Sequence, residues 1–245
     1  MAKLDPNGAP LSGSDGFRAG GIDYPLAITG DAAGNMWIAN FANSSVTRMP
    51  TGNPAGAINF KDGGLSFPVG IAAGAKRNSN IWVANQGNDS ATAVRVRGSM
   101  PAGAAGYTGG GLDSPSAIAV DAAGNAWVAN YYGESVTALT RGGTPMSGSP
   151  FNAGGLDGPA ALAVDGAGNI WVANFHRGSV TVLAGAGSGE IGAPLSGPSG
   201  YAAAGLDGAS GIAVDPSGNV WVANFNGASV TELVGAAAPV KTPIR

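Results

Sequence analysis

Short apolar runs that alternate large and small side chains recur along the chain, separated by clusters of Gly, Asn, Asp, Ser and Pro. Ala117-Ile118-Ala119-Val120 is one such run, and its period of two predicts a half-buried strand. Asp121-Ala122-Ala123-Gly124-Asn125 follows and predicts a hairpin turn. There the Asp carboxylate can accept from downstream backbone N–H groups, while Gly and Asn tolerate positive φ. Trp127-Val128-Ala129 reads as a second strand, Ser135 to Leu139 as a third, and a weaker fourth follows Pro145. Helix is disfavoured, because no unit holds ten residues free of Gly and Pro with a 3.6 periodicity.

The pattern repeats. Trp37, Trp82, Trp127, Trp171 and Trp221 lie 45, 45, 44 and 50 residues apart, each opening a Trp-Ile/Val-Ala-Asn tetrapeptide. Eight residues after each tryptophan stands a serine: Ser45, Ser90, Ser135, Ser179 and Ser229. Four short antiparallel strands in about 45 residues is the period of a propeller blade. The irregularities fall where loops belong. The second unit lacks the Asp-x-x-Gly-Asn turn and carries extra residues across Gly74 to Asn80; the fourth is lengthened between Ala184 and Ala204.

The fold class expected is all-β, a single propeller of about five four-stranded blades at residues 18–62, 63–109, 110–153, 154–203 and 204–238, with a tail at 239–245. Leu4-Asp5-Pro6-Asn7-Gly8-Ala9-Pro10-Leu11-Ser12-Gly13-Ser14 resembles Leu139 to Ser149, the end of a third strand and a fourth. Residues 4–17 are therefore expected to complete the last blade and close the ring, which pairs edges otherwise left open. The alternative is six blades in a longer parent protein.

The unit Pro-x-x-Ile-Ala-Val-Asp-x-x-Gly-Asn-x-Trp-Val-Ala-Asn-x-x-x-x-Ser-Val-Thr resembles the NHL-type propeller repeat, in the branch common in bacterial exported proteins. It is also similar to the repeat of the virginiamycin B lyase-like propellers. The resemblance covers residues 20–233 and implies the propeller fold. It leaves function open among binding modules, hydrolases, lyases and interaction scaffolds. Lyases of this group use more than one histidine with a carboxylate and magnesium. Here His176 is the single histidine, so that apparatus does not carry over intact. Gluconolactonase-like propellers hold calcium with Glu, Asn and Asp, but the three glutamates of this chain do not start a first strand. No cofactor and no metal site are expected.

Composition narrows the partners. The 43 glycines and 16 prolines punctuate strands, since 44% of residues are hydrophobic and a core can form. The net charge of −3 and scattered basic residues give no stripe for a phosphate backbone, which argues against nucleic acid. There are no cysteines, so disulfide and thiolate chemistry are excluded. No run approaches the roughly 18 apolar residues of a membrane helix. The start has no signal-peptide apolar region, yet low charge and a Gly/Ala/Ser/Asn-rich surface point to an exported protein whose signal lies outside this chain.

Internal comparison separates scaffold from site. Asn40, Asn85, Asn130, Asn174 and Asn224 recur in every unit, as do the tryptophans and the turn residues Asp31, Asp121, Asp165 and Asp215 in four; these are read as structural. The positions after each Asn vary, and four of five begin with an aromatic ring. Phe41, Asn43, Gln86, Asp89, Tyr132, Phe175, Phe225 and Asn226 are the candidate ligand contacts, an aromatic rim suited to a glycan or other flat polar molecule, or to a protein partner. The third and fourth units add Tyr131, Glu134, His176 and Arg177, a phenol, an acid, a base and a guanidinium, which define the alternative of a lyase or hydrolase acting on a lactone or ester.

Overall fold

The computed structural model describes residue 12 and residues 16–76, 79–95, 99–101, 103, 105–203 and 205–240. Five antiparallel sheets follow in chain order. The first contains β1 (Pro25–Gly30), β2 (Met36–Asn40), β3 (Ser45–Met49) and β4 (Ile58–Phe60). The second holds β5 (Pro68–Ala73), β6 (Ile81–Asn85) and β7 (Ser90–Val94), and the third β8 (Pro115–Val120), β9 (Ala126–Asn130) and β10 (Ser135–Leu139). The fourth holds β11 (Pro159–Val164), β12 (Ile170–Asn174) and β13 (Ser179–Leu183), and the fifth β14 (Ala209–Val214), β15 (Val220–Asn224) and β16 (Ser229–Leu233). The first strand of each sheet packs beside the first strand of the next, β1 on β5, β5 on β8, β8 on β11 and β11 on β14, as the inner strands of successive blades.

The hairpin joining the first two strands is held by one carboxylate. Asp165 Oδ1 accepts from the backbone N–H groups of Ala167 and Asn169, both at 2.9 Å, while Oδ2 accepts from Asn169 Nδ2 and from the indole Nε1 of Trp171 at 3.1 Å. Asp31, Asp121 and Asp215 repeat this arrangement with Trp37, Trp127 and Trp221. These aspartates make the turn, as their recurrence predicts, and the indole bond also ties the turn to the core. Burial pushes the Asp31 and Asp165 carboxyls up, but the bonds from tryptophan and from turn amides outweigh it and hold both below the usual range. For Asp215 the backbone amide of Asn219 leads, and the carboxyl falls to about 2.

The second sheet lacks the device. Gly74 stands where the aspartate would be, Ser79 Oγ accepts from Lys76 N instead, and among the described residues the buried Trp82 indole N–H has no partner.

Among the described residues the expected fourth strand is regular only in the first sheet. In the second, third and fourth sheets it shrinks to isolated bridges, Ala91 to Tyr107, Val136 to Phe151 and Val180 to Tyr201. These segments carry Pro and Gly, which remove donors and side-chain packing from a ladder. One contact survives in all four: an aromatic ring of the outer segment lies over the sheet's own tryptophan. The pairs are Trp37–Phe60, Trp82–Tyr107, Trp127–Phe151 and Trp171–Tyr201, with centroids 5.5 to 6.1 Å apart.

The core is divided into joints between sheets. Each buried cluster combines the tryptophan face of one sheet with the first-strand and second-strand face of the next, as where Trp82, Ala84 and Ala91 meet Ile118, Val128 and Leu139. Four such clusters join the five sheets. Their tryptophans are 0 to 2% exposed, and burying each ring contributes about 5 kcal/mol by area.

Among the described residues the outward faces of the first and last sheets are partly exposed. On the first sheet Ile28 is 49% exposed, whereas the equivalent Ile71 and Ile118 are buried. On the last sheet Trp221 is 41% and Val230 66% exposed. Among the described residues β16 pairs with β15 alone. The expected closing strand, residues 4–17, falls outside the described residues apart from Ser12, Gly16 and Phe17.

Candidate functional site

The hairpins between second and third strands and the loops leading into first strands share one face of the molecule. A recurring buried amide joins them. Asn174 Nδ2 donates to Ser179 Oγ and Thr181 Oγ1, its Oδ1 accepts from Asp157 N, and Thr181 Oγ1 donates to Gly154 O. Asn40, Asn85, Asn130 and Asn224 do the same in their sheets. With its polar atoms satisfied, the amide fixes both loops, and the residues beyond it are free to vary.

Those residues form the candidate site. Tyr131, from the third sheet's hairpin, meets His176, from the fourth, with Tyr131 Oη 3.0 Å from Nε2. On its other side His176 Nδ1 lies 3.2 Å from Asp157 Oδ1, and Arg177 Nε donates to Asp157 Oδ2 at 3.4 Å. Asp157 as acceptor requires the proton on Nδ1, which leaves Nε2 to accept from the tyrosine hydroxyl. An acid, an imidazole and a phenol thus lie in a line across two adjacent sheets, half open to water.

Rings extend the rim on both sides. Tyr131 meets Tyr132 edge-on at 5.3 Å and Phe175 at 6.4 Å, and Phe175 meets Phe225 at 6.1 Å. Tyr132 and Phe225 are each 74% exposed. A second group, Tyr24, Phe41 and Phe67, stands on the first two sheets, with Phe41 5.1 Å from Phe67. Exposed Gln86 opens a single 3-10 turn, Gln86–Asn88, and stands in the ring position of the second sheet.

The structure therefore brings together Tyr131, Tyr132, Phe175, His176, Arg177 and Phe225, with Asn226 3.5 Å from Asp207 beside them. It gives Asn43 and Asp89 scaffold contacts. Asn43 Nδ2 donates to Gly21 O, and Asp89 Oδ1 accepts from Ser114 N at 2.7 Å, a bond between neighbouring sheets. Asp89 and Glu134 occupy the same left-handed hairpin position, φ 48° and 45°. Glu134 is exposed and outside the Tyr131–His176–Asp157 bonds.

Asp157, Tyr24 and Phe67 are additions to the sequence reading. The comparison used for the hairpins, applied to the residue before each first strand, reads Tyr24, Phe67, Ser114, Gly158 and Gly208 and marks the two rings. Asp157 gives no such signal, since Asp23, Asp113 and Asp207 recur at its position and the filter discards it. Its role depends on His176, which is unique. At Gly158 an added Cβ would come within 2.7 Å of His176 Nδ1, so the small residue there makes room for the imidazole.

No group of three His, Cys, Asp or Glu side chains with metal-site spacing occurs among the described residues, and no described helix is long and apolar enough to cross a membrane.

No family model matches the sequence, and no curated protein matches it. Solved structures do. A catalytically inactive virginiamycin B lyase from Staphylococcus aureus with quinupristin superposes with a TM-score of 0.70 at 13% identity, over 99% of this chain and 84% of that one. A gluconolactonase from Xanthomonas campestris gives 0.59 at 18% identity, over 89% and 77%. A chain of the nidogen/laminin complex gives 0.60 at 14%, over 95% and 84%. At these identities the likeness establishes the all-β propeller fold and nothing finer.

Proposed function

We propose that the chain is a recognition propeller whose rim binds a polar ligand with a flat apolar face, a glycan or small molecule, between Tyr132, Tyr131, Phe175 and Phe225. The exposure of Tyr132 and Phe225 carries this reading. Each ring is 74% open to water on the face that carries the variable hairpin residues, so a ligand that covers it recovers about 25 cal/mol per Å² of apolar area. Phe41 and Phe67 offer a second apolar contact along the same rim, and Gln86, Arg177 and Asn226 supply polar edges. Both His176 nitrogens are already bonded within the protein, which suits a fixed polar contact. Propeller neighbours of both binding and enzymatic kinds exist, and this rim favours the former.

A glycan array followed by titration calorimetry on the best hit tests the reading. Tyr132→Ala and Phe225→Ala should each weaken binding by about 5- to 30-fold, the equivalent of about 1–2 kcal/mol. A hit whose affinity neither substitution alters would overturn it.

A second reading rests on the Asp157–His176–Tyr131 line, the arrangement of an imidazole oriented by a carboxylate. As a lyase or hydrolase acting on a lactone or ester, Tyr131 would pass its proton to His176 Nε2 and take a proton from the substrate or its attacking water. Asp157 would stabilise the imidazolium, with Arg177 facing the developing anionic oxygen. Turnover of a lactone or ester panel, lost by about 100-fold or more in His176→Ala, supports this reading; under the first, the same substitution changes ligand affinity only a few-fold.

A further inference from the structure

The aspartates of the entering loops decide which hydrogen-bonding atoms the rim turns outward. Asp157 and Asp207 each stand two residues before a first strand, β11 and β14, and the backbone N–H of each goes to the recurring amide, Asn174 or Asn224. Their carboxylates reach the second residue of the hairpin, which is His176 in the fourth sheet and Asn226 in the fifth. A carboxylate only accepts, so each of these neighbours must turn a donor towards it. Asn226 points Nδ2 at Asp207 Oδ1, 3.5 Å away, which directs its carbonyl oxygen the other way. His176 points Nδ1–H at Asp157 Oδ1. In both places the donor is spent inward and an acceptor is kept for the outside.

In the fourth sheet the effect travels one residue further. A neutral imidazole has a single proton, so with Nδ1 protonated Nε2 accepts from the Tyr131 hydroxyl, 3.0 Å away. The phenol also has a single proton, and once that is given to Nε2 the Tyr131 oxygen offers only lone pairs. Two contacts fix the direction of this relay. Arg177 Nε donates to Asp157 Oδ2 at 3.4 Å, which leaves Oδ1 for His176, and Gly158 leaves room for the imidazole at Nδ1. Exposed Tyr132 stands edge-on to Tyr131 at 5.3 Å, so a ligand ring that covers Tyr132 brings its substituents within reach of the Tyr131 oxygen.

We infer that Asp157, acting through His176, makes Tyr131 a hydrogen-bond acceptor and so selects ligands that donate a hydroxyl or N–H at this point of the rim. Molecules that carry only carbonyl or ether oxygens there are disfavoured. A free polyhydroxylated ring, as in an unsubstituted glycan, is thus taken over its acylated or alkylated form. The inference rests on the aromatic rim being the ligand site and adds the polarity of the ligand to it. Asp157 is a positioning residue here, since it touches His176 and not the ligand.

Two probes of one shape test the selection. para-Fluoroacetophenone only accepts hydrogen bonds, and the alcohol formed by its reduction also donates. Each is titrated against the protein by fluorine NMR at about pH 8, where free imidazole is neutral. The alcohol should bind about 3- to 10-fold more tightly, and Tyr131→Phe should bring the two to equal affinity. Asp157→Asn reverses the relay. Arg177 holds the new amide oxygen, the amide N–H faces Nδ1, the imidazole proton moves to Nε2, and the Tyr131 hydroxyl is released to donate. The ketone should then gain about 3-fold or more over its affinity for the unmodified protein, while the alcohol, which also accepts, keeps its own. A merely structural contact, once lost, would weaken both probes alike. Equal binding of the two probes by the unmodified protein, with both weakened in Tyr132→Ala, overturns the inference and leaves the rim as a binding site. A preference that survives Tyr131→Phe, or a ketone that gains nothing in Asp157→Asn, overturns it as well. Binding that Tyr132→Ala leaves unchanged, or no binding of either probe, overturns the rim reading and this inference with it.

Discussion

Trp82 and Trp171 hold the same place in their sheets, both buried and both facing a tyrosine ring, yet their indole nitrogens differ. Trp171 Nε1 donates to the Asp165 carboxylate at 3.1 Å, whereas Trp82 Nε1 is buried with no partner among the described residues. Replacing each by Phe removes about the same apolar area, so that loss cancels in the comparison. Trp171→Phe also forfeits a hydrogen bond to a charged group, worth about 1.5–3 kcal/mol, while Trp82→Phe relieves an unpaired donor whose burial costs about 1–3 kcal/mol. Asp165 keeps its other donors, which places the difference towards the lower end, about 2–4 kcal/mol in favour of Trp82→Phe. Urea unfolding of the two variants measures it, and for a chain of this length the same gap appears as a separation in Tm of about 4–16 °C. Equal loss in both, or greater loss for Trp82→Phe, would refute the assignment of the carboxylate as the anchor of the tryptophan.

Asn174→Ala leaves two hydroxyls and the Asp157 N–H short of a buried partner and should cost about 3–5 kcal/mol, read by the same unfolding assay. At Gly155, φ +79°, an added Cβ would lie 2.5 Å from the Ser199 backbone, so Gly155→Ala should cost about 2–4 kcal/mol, while Gly187→Ala, which meets open space, should stay within about 0.5 kcal/mol. Thermal melts against pH should be flat at neutral pH and fall between about pH 4 and pH 2. The carboxyls of Asp31, Asp165 and Asp215 lie low in the folded state, so the stability they add is complete above the unfolded Asp value of about 3.9 and disappears as pH drops through the folded one, about 2 for Asp215. A steep loss above pH 5 would contradict this.

The five sheets were legible because each strand carries its own instructions. Alternation in Ala117 to Val120, the Asp121 to Asn125 turn and the invariant interval from Trp127 to Ser135 place three strands and their register without reference to the rest of the chain. The outer segments were less legible, since Gly142, Gly143 and Pro145 weaken the ladder and leave isolated bridges, Leu139 to Pro145 and Val136 to Phe151, in place of a regular strand. The exposed end faces escaped notice for a different reason. Ile28 and Ile118 look alike in sequence, and only packing shows that one is half exposed and the other buried. Asp157 was hidden in the same way, because recurrence marks a residue as scaffold even where a unique histidine gives it a second task.

That double use explains why a demanding cluster can sit on this scaffold at little cost. Asn174 holds the hairpin and the entering loop through bonds to Ser179, Thr181 and the Asp157 N–H. None of these involves the Asp157 carboxylate. The carboxylate is thus left over after the fold's hydrogen bonds are satisfied, and it points along the rim towards His176 and Arg177. Both pairs are partly exposed, where such contacts add about 0–1 kcal/mol to stability. Asp157→Asn should therefore leave Tm within about 4 °C, since the backbone N–H that Asn174 needs is unchanged. The same substitution should disturb His176, because an amide no longer holds the Nδ1 proton in place. Nitrogen-15 spectra of the imidazole read this directly, with a shift in the balance between the two tautomers expected. An unchanged spectrum in Asp157→Asn would mean that the carboxylate does not orient the histidine.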